Sequence, residues 1–429
     1  MLHKHLPRRT ALAAVGIVSA VGLTLAGCSA GGESSGGPQE ITFSYLWSGA
    51  EAEAIEQIIA DFNDSQDEIV VKGVSSPDTQ KQLTSMSASQ GSFDISDHFG
   101  NGVGAWASKG ILEPLDEYLA EYGVDTTDFV PAAMEQMTYD GQIYSMPIAV
   151  HSFQLLYNKT LLDEAGVAVP TTMDELASAI AALTKQDDDG TITQLGLGDP
   201  SPFTTLTTLG YNFGGDWDAG GEPSPAQEGN IAALDWYVSS IVGLVGAENL
   251  AAFTAGNGAY MSAEDPFYVG RYAMVIDGEW RSANIPATAP DLDWGVTAIP
   301  YVTTDLQDVT QLTASTLFIP ANSDHKDAAA EFLAYLVSDR GMTDFSLALG
   351  NLPARVSLLD SPAYDGLENF NVWLDALKSP NVFALSSAPY AAEYAADLGT
   401  AFNDVLLGTV TPTEAMDAVL ERSKNYSVQ

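Results

Sequence analysis

The chain has 429 residues and sets 16 Lys+Arg against 57 Asp+Glu, a formal charge of −41. Such a surface repels nucleic acid and anionic headgroups, which excludes DNA and RNA as partners. Charged residues are nevertheless only 17% of the chain and hydrophobic ones 46%, a globular balance and not a disordered one. In chain order, residues 1–9 carry Lys4, Arg8 and Arg9 with no acid, and residues 10–26 are small and apolar. This is the layout of a secretory signal, and its apolar run is slightly short for a membrane span of roughly 20 residues. Its removal takes away three basic residues and no acid, leaving a body of charge −44.

Leu25-Ala26-Gly27-Cys28 closes the leader and resembles a bacterial lipobox, in which the cysteine is lipidated and becomes the first residue. Cys28 is the only cysteine, so it has no disulfide partner in the chain. The expected layout is a signal peptide over 1–27 and a lipidated, Gly/Ser-rich flexible tether over 28–40. The tether contains a G-x-S-x-G string at Gly32, Ser34 and Gly36. A nucleophile elbow needs a strand before it and a helix after it, and this linker offers neither.

About 390 residues follow, more than one core usually serves, so two domains are expected. Residues 41–47 alternate as a strand, 51–63 place Ala54, Ile55, Ile58, Ile59 and Phe62 at helical spacing, and 68–74 form a second strand. Helices are predicted at 80–90, 104–110, 172–183, 229–242, 324–338, 340–349 and 413–422. Strands are predicted at 93–96, 154–157, 272–276 and 316–319. The alternation indicates an α/β architecture.

Several segments resemble the extracellular sugar-binding proteins of bacterial ABC importers, the family of maltose-binding protein. They are Trp47 and Glu51 with the helix ending Asp61-Phe62-Asn63; Phe93-Asp94-Ile95 through Trp106 to Pro114-Leu115; and Asp140-Gly141 through Met146-Pro147 to Tyr157-Asn158-Lys159. Gly270-Arg271-Tyr272-Ala273-Met274 to Glu279-Trp280 and Phe318-Ile319-Pro320 to Pro353-Ala354-Arg355 complete the series. The resemblance implies a two-lobed periplasmic-binding-protein-like fold of type II, each lobe a mixed sheet flanked by helices. The lobes would be 41–150 with 314–360 and 151–313 with 361–429, crossing near 149–153, 312–315 and 357–364. It implies a monomer that binds a mono- or oligosaccharide and hands it to ABC permease transmembrane subunits. The chain would be held by lipid on Cys28 at the outer face of the cell membrane.

A sugar needs aromatic rings against its C–H faces and fixed polar groups for its hydroxyls. Trp280, after Asp277-Gly278-Glu279 at a strand end, is the first candidate, and Glu279 accompanies it. Trp47 ends the first strand, where open α/β sheets bind ligands, with Ser48 and Glu51 beside it. His98 and Asn101 lie in a glycine-loosened loop, and His151 falls at the first crossing. Arg355 is placed by resemblance at the cleft rim, with an ion pair as its alternative. Asp216 and Trp217 resemble a ligand-side loop of the second lobe, and Pro389-Tyr390 is a weaker choice. No cofactor and no metal is expected: Asp187-Asp188-Asp189-Gly190 lacks the frame of a calcium loop and reads as a turn. No catalysis is expected either; a cell-surface glycoside hydrolase or carbohydrate adhesin is the alternative.

Overall fold

The computed structural model describes residues 37–426. The leader, Cys28 and most of the tether lie outside them. The strand Gln39–Tyr45, the helix Ala50–Ser65 and the strand Ile69–Ser75 open the body. Ile41, Phe43 and Tyr45 point inward at alternate positions, and Ile55, Ile58, Ile59 and Phe62 bury one helix face. The two strands pair in parallel from Gln39↔Ile69 to Tyr45↔Ser75.

Ten strands join in one mixed sheet. Its first part runs Ile69–Ser75, Gln39–Tyr45, Ile95–Phe99 and Thr310–Phe318; its second runs Met146–Asn158, Tyr272–Gly278, Ile192–Gly198 and Lys185–Gln186. The strand Met146–Asn158 serves both parts. Up to Ser152 it pairs with Thr310–Phe318, and from Phe153 it pairs with Tyr272–Gly278 and then Trp294–Thr297. The strand Thr310–Phe318 likewise turns from Val382–Ala384 at its start to Ile95–Phe99 at its end. Helices flank each part, giving the two-lobed α/β fold.

The shared strands are longer than the sequence reading predicts, 146–158 in place of 154–157 and 310–318 in place of 316–319. Both are buried almost throughout, so they show a continuous apolar run without the alternation that marks a half-exposed strand. The helices Pro202–Asn212, Arg281–Thr288 and Ala391–Leu406 were not anticipated. The first is buried along most of its length, which removes the amphipathic stripe. Thr172 caps Met173–Leu183 through a capping box with Glu175, and the same device at Thr411 and Glu414 starts Pro412–Ser423. The triple aspartate forms the turn between Lys185–Gln186 and Ile192–Gly198, where Asp189 Oδ1 accepts the Thr191 N–H.

Candidate functional site

The carboxyl ends of Gln39–Tyr45, Ile95–Phe99 and Tyr272–Gly278 converge on a cleft of about 800 Å³. Its first wall carries Trp47, Glu51, Asp97, His98 and Phe99; its second carries Tyr260, Trp280 and Asn284. His151, Thr313 and Ser315, from the two shared strands, form its floor. A crevice beyond strand ends is where open α/β sheets take ligands.

The first wall is loosely tied. Trp47 leans on Phe345 with ring centroids 5.2 Å apart and stays half-buried. Asp97 Oδ1 accepts the Leu46 N–H at 2.7 Å. Burial pushes the Asp97 carboxyl up to about 7; neighbouring Glu51 adds to the rise, and the Leu46 N–H opposes it. Burial also raises Glu51, and His151 opposes that rise. His98 stands edge-on to Trp106 at 4.3 Å, and burial lowers its pKa.

The second wall is braced from behind. Trp280 follows Gly278 and begins the helix Arg281–Thr288. Its ring lies against Gly278, where a Cβ would stand 2.2 Å from the ring carbons, so that close approach requires glycine. The indole N–H donates to the Tyr260 oxygen at 2.6 Å, and the Tyr260 hydroxyl donates to Asp277 Oδ1 at 2.9 Å. Arg281, 1% exposed, donates to Asp277 at 2.7 Å and to Asp265 at 2.9 Å. Its guanidinium lies 4.5 Å from the Tyr260 ring centre and 4.9 Å from that of Tyr268. Burial raises Asp277 while Arg281 opposes the rise, and burial followed by the Asp277 charge raises Tyr260.

The floor is fixed by Glu279, which is fully buried. Its Oε1 meets His151 Nδ1 at 2.7 Å, and its Oε2 accepts the Ser152 N–H at 3.3 Å. The other His151 nitrogen meets Ser315 Oγ at 3.0 Å. Glu279 therefore orients the histidine without itself lining the cleft.

Trp47, Glu51, His98, His151 and Trp280 thus come together, and other predicted residues lie elsewhere. Ser48 is exposed and does not line the cleft. Asn101 turns away in the short helical turn Gly100–Gly102, toward Phe203 and Trp217. Asp216 borders a separate cavity of about 540 Å³ with Tyr139 and Phe383. Trp217 is fully buried, with its N–H donated to the Thr207 carbonyl, and so belongs to the core. Arg355 takes the ion-pair alternative: it meets Asp128 at 2.9 Å, donates to the Val337 carbonyl and covers Phe129. Tyr390 donates to Asp218, away from the cleft. Asp97, Phe99 and Tyr260 are lining residues that sequence reasoning did not single out.

A divided mixed sheet, two shared strands and an aromatic cleft at the strand ends define a two-lobed solute-binding fold. The chain belongs to the bacterial extracellular solute-binding protein family, whose profile matches residues 47–343. The mannitol-binding protein of Pseudomonas aeruginosa is 28% identical over 396 residues, covering 83% of this chain and 86% of that one. The maltotriose-binding protein of Pyrococcus abyssi is 23% identical over 61% of this chain, and the match spans only 54% of that relative. Among solved structures, CpMnBP1 with mannotriose bound superposes with a TM-score of 0.76 at 25% identity, covering 90% of this chain and 100% of that one.

Proposed function

We propose that this protein captures a mono- or oligosaccharide in the cleft and delivers it to the membrane-spanning subunits of an ABC permease. The observation that carries this reading is the convergence of four aromatic side chains, Trp47, Phe99, Tyr260 and Trp280, on one cleft that also holds Glu51, Asp97 and Asn284. Rings cover the C–H faces of a sugar, and the polar groups exchange hydrogen bonds with its hydroxyls. The printed ligands of the relatives, maltotriose and mannitol, and the mannotriose of the solved neighbour support it.

Delivery works through closure. The lobes, 41–150 with 314–360 and 151–313 with 361–429, rotate about the shared strands and enclose the ligand, and the permease reads the closed shape. Lipid on Cys28 holds the monomer at the outer face of the membrane. The tether over 28–40 keeps it within reach of the permease at high effective concentration. No bond of the sugar is made or broken.

Titration with a panel of free sugars, read by tryptophan fluorescence, tests the reading. A saturable change with one of them is expected. Silence toward every soluble sugar would favour a surface adhesin. New products appearing on prolonged incubation with oligosaccharides would favour a glycoside hydrolase built on the Glu51 and Asp97 carboxylates.

A further inference from the structure

The cleft gathers two carboxyl groups and no permanent cation. Glu51 and Asp97 both line it, and no lysine or arginine does. Asp97 is 4% exposed; its Oδ1 accepts the Leu46 N–H, and its own backbone N–H also favours the charged form. No side chain among the described residues donates a hydrogen bond to either the Asp97 or the Glu51 carboxyl.

The cations nearby are already matched. Any charge on His151 faces the buried carboxylate of Glu279 at 2.7 Å. Arg281 is sealed against the Tyr260 and Tyr268 rings, where it is already paired with two carboxyl groups, Asp265 and Asp277. Burial keeps His98 toward its neutral form. The second wall therefore presents rings, an amide and small side chains to the Glu51–Asp97 pair.

Closing this cleft over a neutral ligand strips water from Glu51 and from the ionised form of Asp97, and hydroxyl hydrogen bonds return no opposite charge. A carboxylate taken out of water is penalised unless an opposite charge or further hydrogen bonds replace its hydration. A ligand carrying its own positive charge offsets that penalty through Coulomb attraction, and the faces of the surrounding Trp and Tyr rings attract it as well.

We propose that the ligand is an amino sugar with a free, protonated amine, and that its ammonium is held by Glu51 and Asp97. This rests on the sugar-binding reading above. The pyranose ring meets Trp280 and Tyr260, while the ammonium donates to Asp97 and to Glu51.

Calorimetry on the full chain with matched sets tests it. The sets are glucosamine, galactosamine, mannosamine and the β-1,4 glucosamine dimer, each beside its N-acetyl and hydroxyl counterparts. The amine member of the best-bound set should bind about ten- to hundredfold tighter than its counterparts, the range of charged hydrogen bonds. Glu51→Gln and Asp97→Asn should each shrink that preference, with thermal unfolding confirming that both variants fold. A neutral or acetylated sugar binding as tightly as its amine counterpart would overturn the proposal. So would an undiminished amine preference in the double variant. Ethanolamine, an ammonium without a sugar ring, should not bind measurably; binding equal to that of the amino sugar would overturn the sugar part. No response to any sugar, in contrast, would sink the sugar-binding reading itself.

Discussion

The two walls of the cleft are built on opposite plans. On the second wall the groups behind the surface form a chain of partners: Trp280 is fixed by Tyr260, Tyr260 by Asp277, and Asp277 by a buried Arg281. On the first wall the carboxylates of Glu51 and Asp97 are held by little beyond one backbone N–H. A braced aromatic surface is ready before the ligand arrives, because its side chains lose little freedom on binding. Unengaged carboxylates keep their hydrogen-bonding capacity for the ligand and carry a desolvation cost until it comes. The contrast assigns shape recognition to one wall and charge recognition to the other.

The most damaging change should be to the brace. Arg281→Met leaves Asp265 and Asp277 buried without their cation, and breaking a buried pair in this way costs about 3–5 kcal/mol. A large drop in chemical-denaturation midpoint is expected, together with lost binding. Stability close to wild type would show that the network does not bear on folding. Next comes the aromatic surface. Trp280→Ala should reduce sugar affinity by about 2 kcal/mol or more, the scale of an anchoring aromatic, with little change in melting temperature. A large stability loss with binding intact would make Trp280 a core residue.

The division between the walls was only partly legible in the sequence. Trp47 and Trp280 sit at strand ends, where local pattern and family resemblance both point, and His151 falls in the strand shared by both lobes. Asp97 and His98 are neighbours, and nothing local says which of them is deeply buried. That depends on pairing with a strand more than 200 residues away, where Asp97 lies opposite Leu317 and His98 opposite Thr316. Tyr260 occupies an irregular stretch without a hydrophobic period, and its place is set by Asp277 and Arg281, which read locally as a strand end and a helix start. Trp217 and Arg355 teach the reverse. An aromatic or a scarce cation in a suggestive loop can be engaged wholly in packing, and burial is decided by tertiary contacts that the segment does not encode.

Tyr260→Phe sharpens the comparison by removing one atom from the braced wall. The ring stays over Arg281, but the Trp280 N–H loses its acceptor and Asp277 loses a donor. Affinity should fall by about 1 kcal/mol, the worth of one hydrogen bond. Melting temperature should change little, and a ¹⁹F resonance from fluorotryptophan at position 280 should broaden as the ring loosens. An unchanged affinity with a sharp resonance would mean that packing against Gly278 alone orients the indole.

The other wall shows its effect only as a function of pH. In the folded chain Asp97 titrates near 7, far above its ordinary value of 3.8, because burial disfavours its charge. A raised carboxyl pKa means that the native state holds the proton more tightly than the unfolded chain. The contribution of Asp97 is therefore fully favourable below pH 3.8 and declines as pH rises through 7. Asp97→Asn removes this dependence while leaving an oxygen to accept the Leu46 N–H. Unfolding measured from pH 4 to 8 should show the variant gaining on wild type as pH rises, with the gap closing at the acid end. The same measurement in saturating ligand separates the two roles of the first wall. A cationic ligand stabilises the ionised Asp97 and should flatten the wild-type slope, whereas a neutral one should leave it in place.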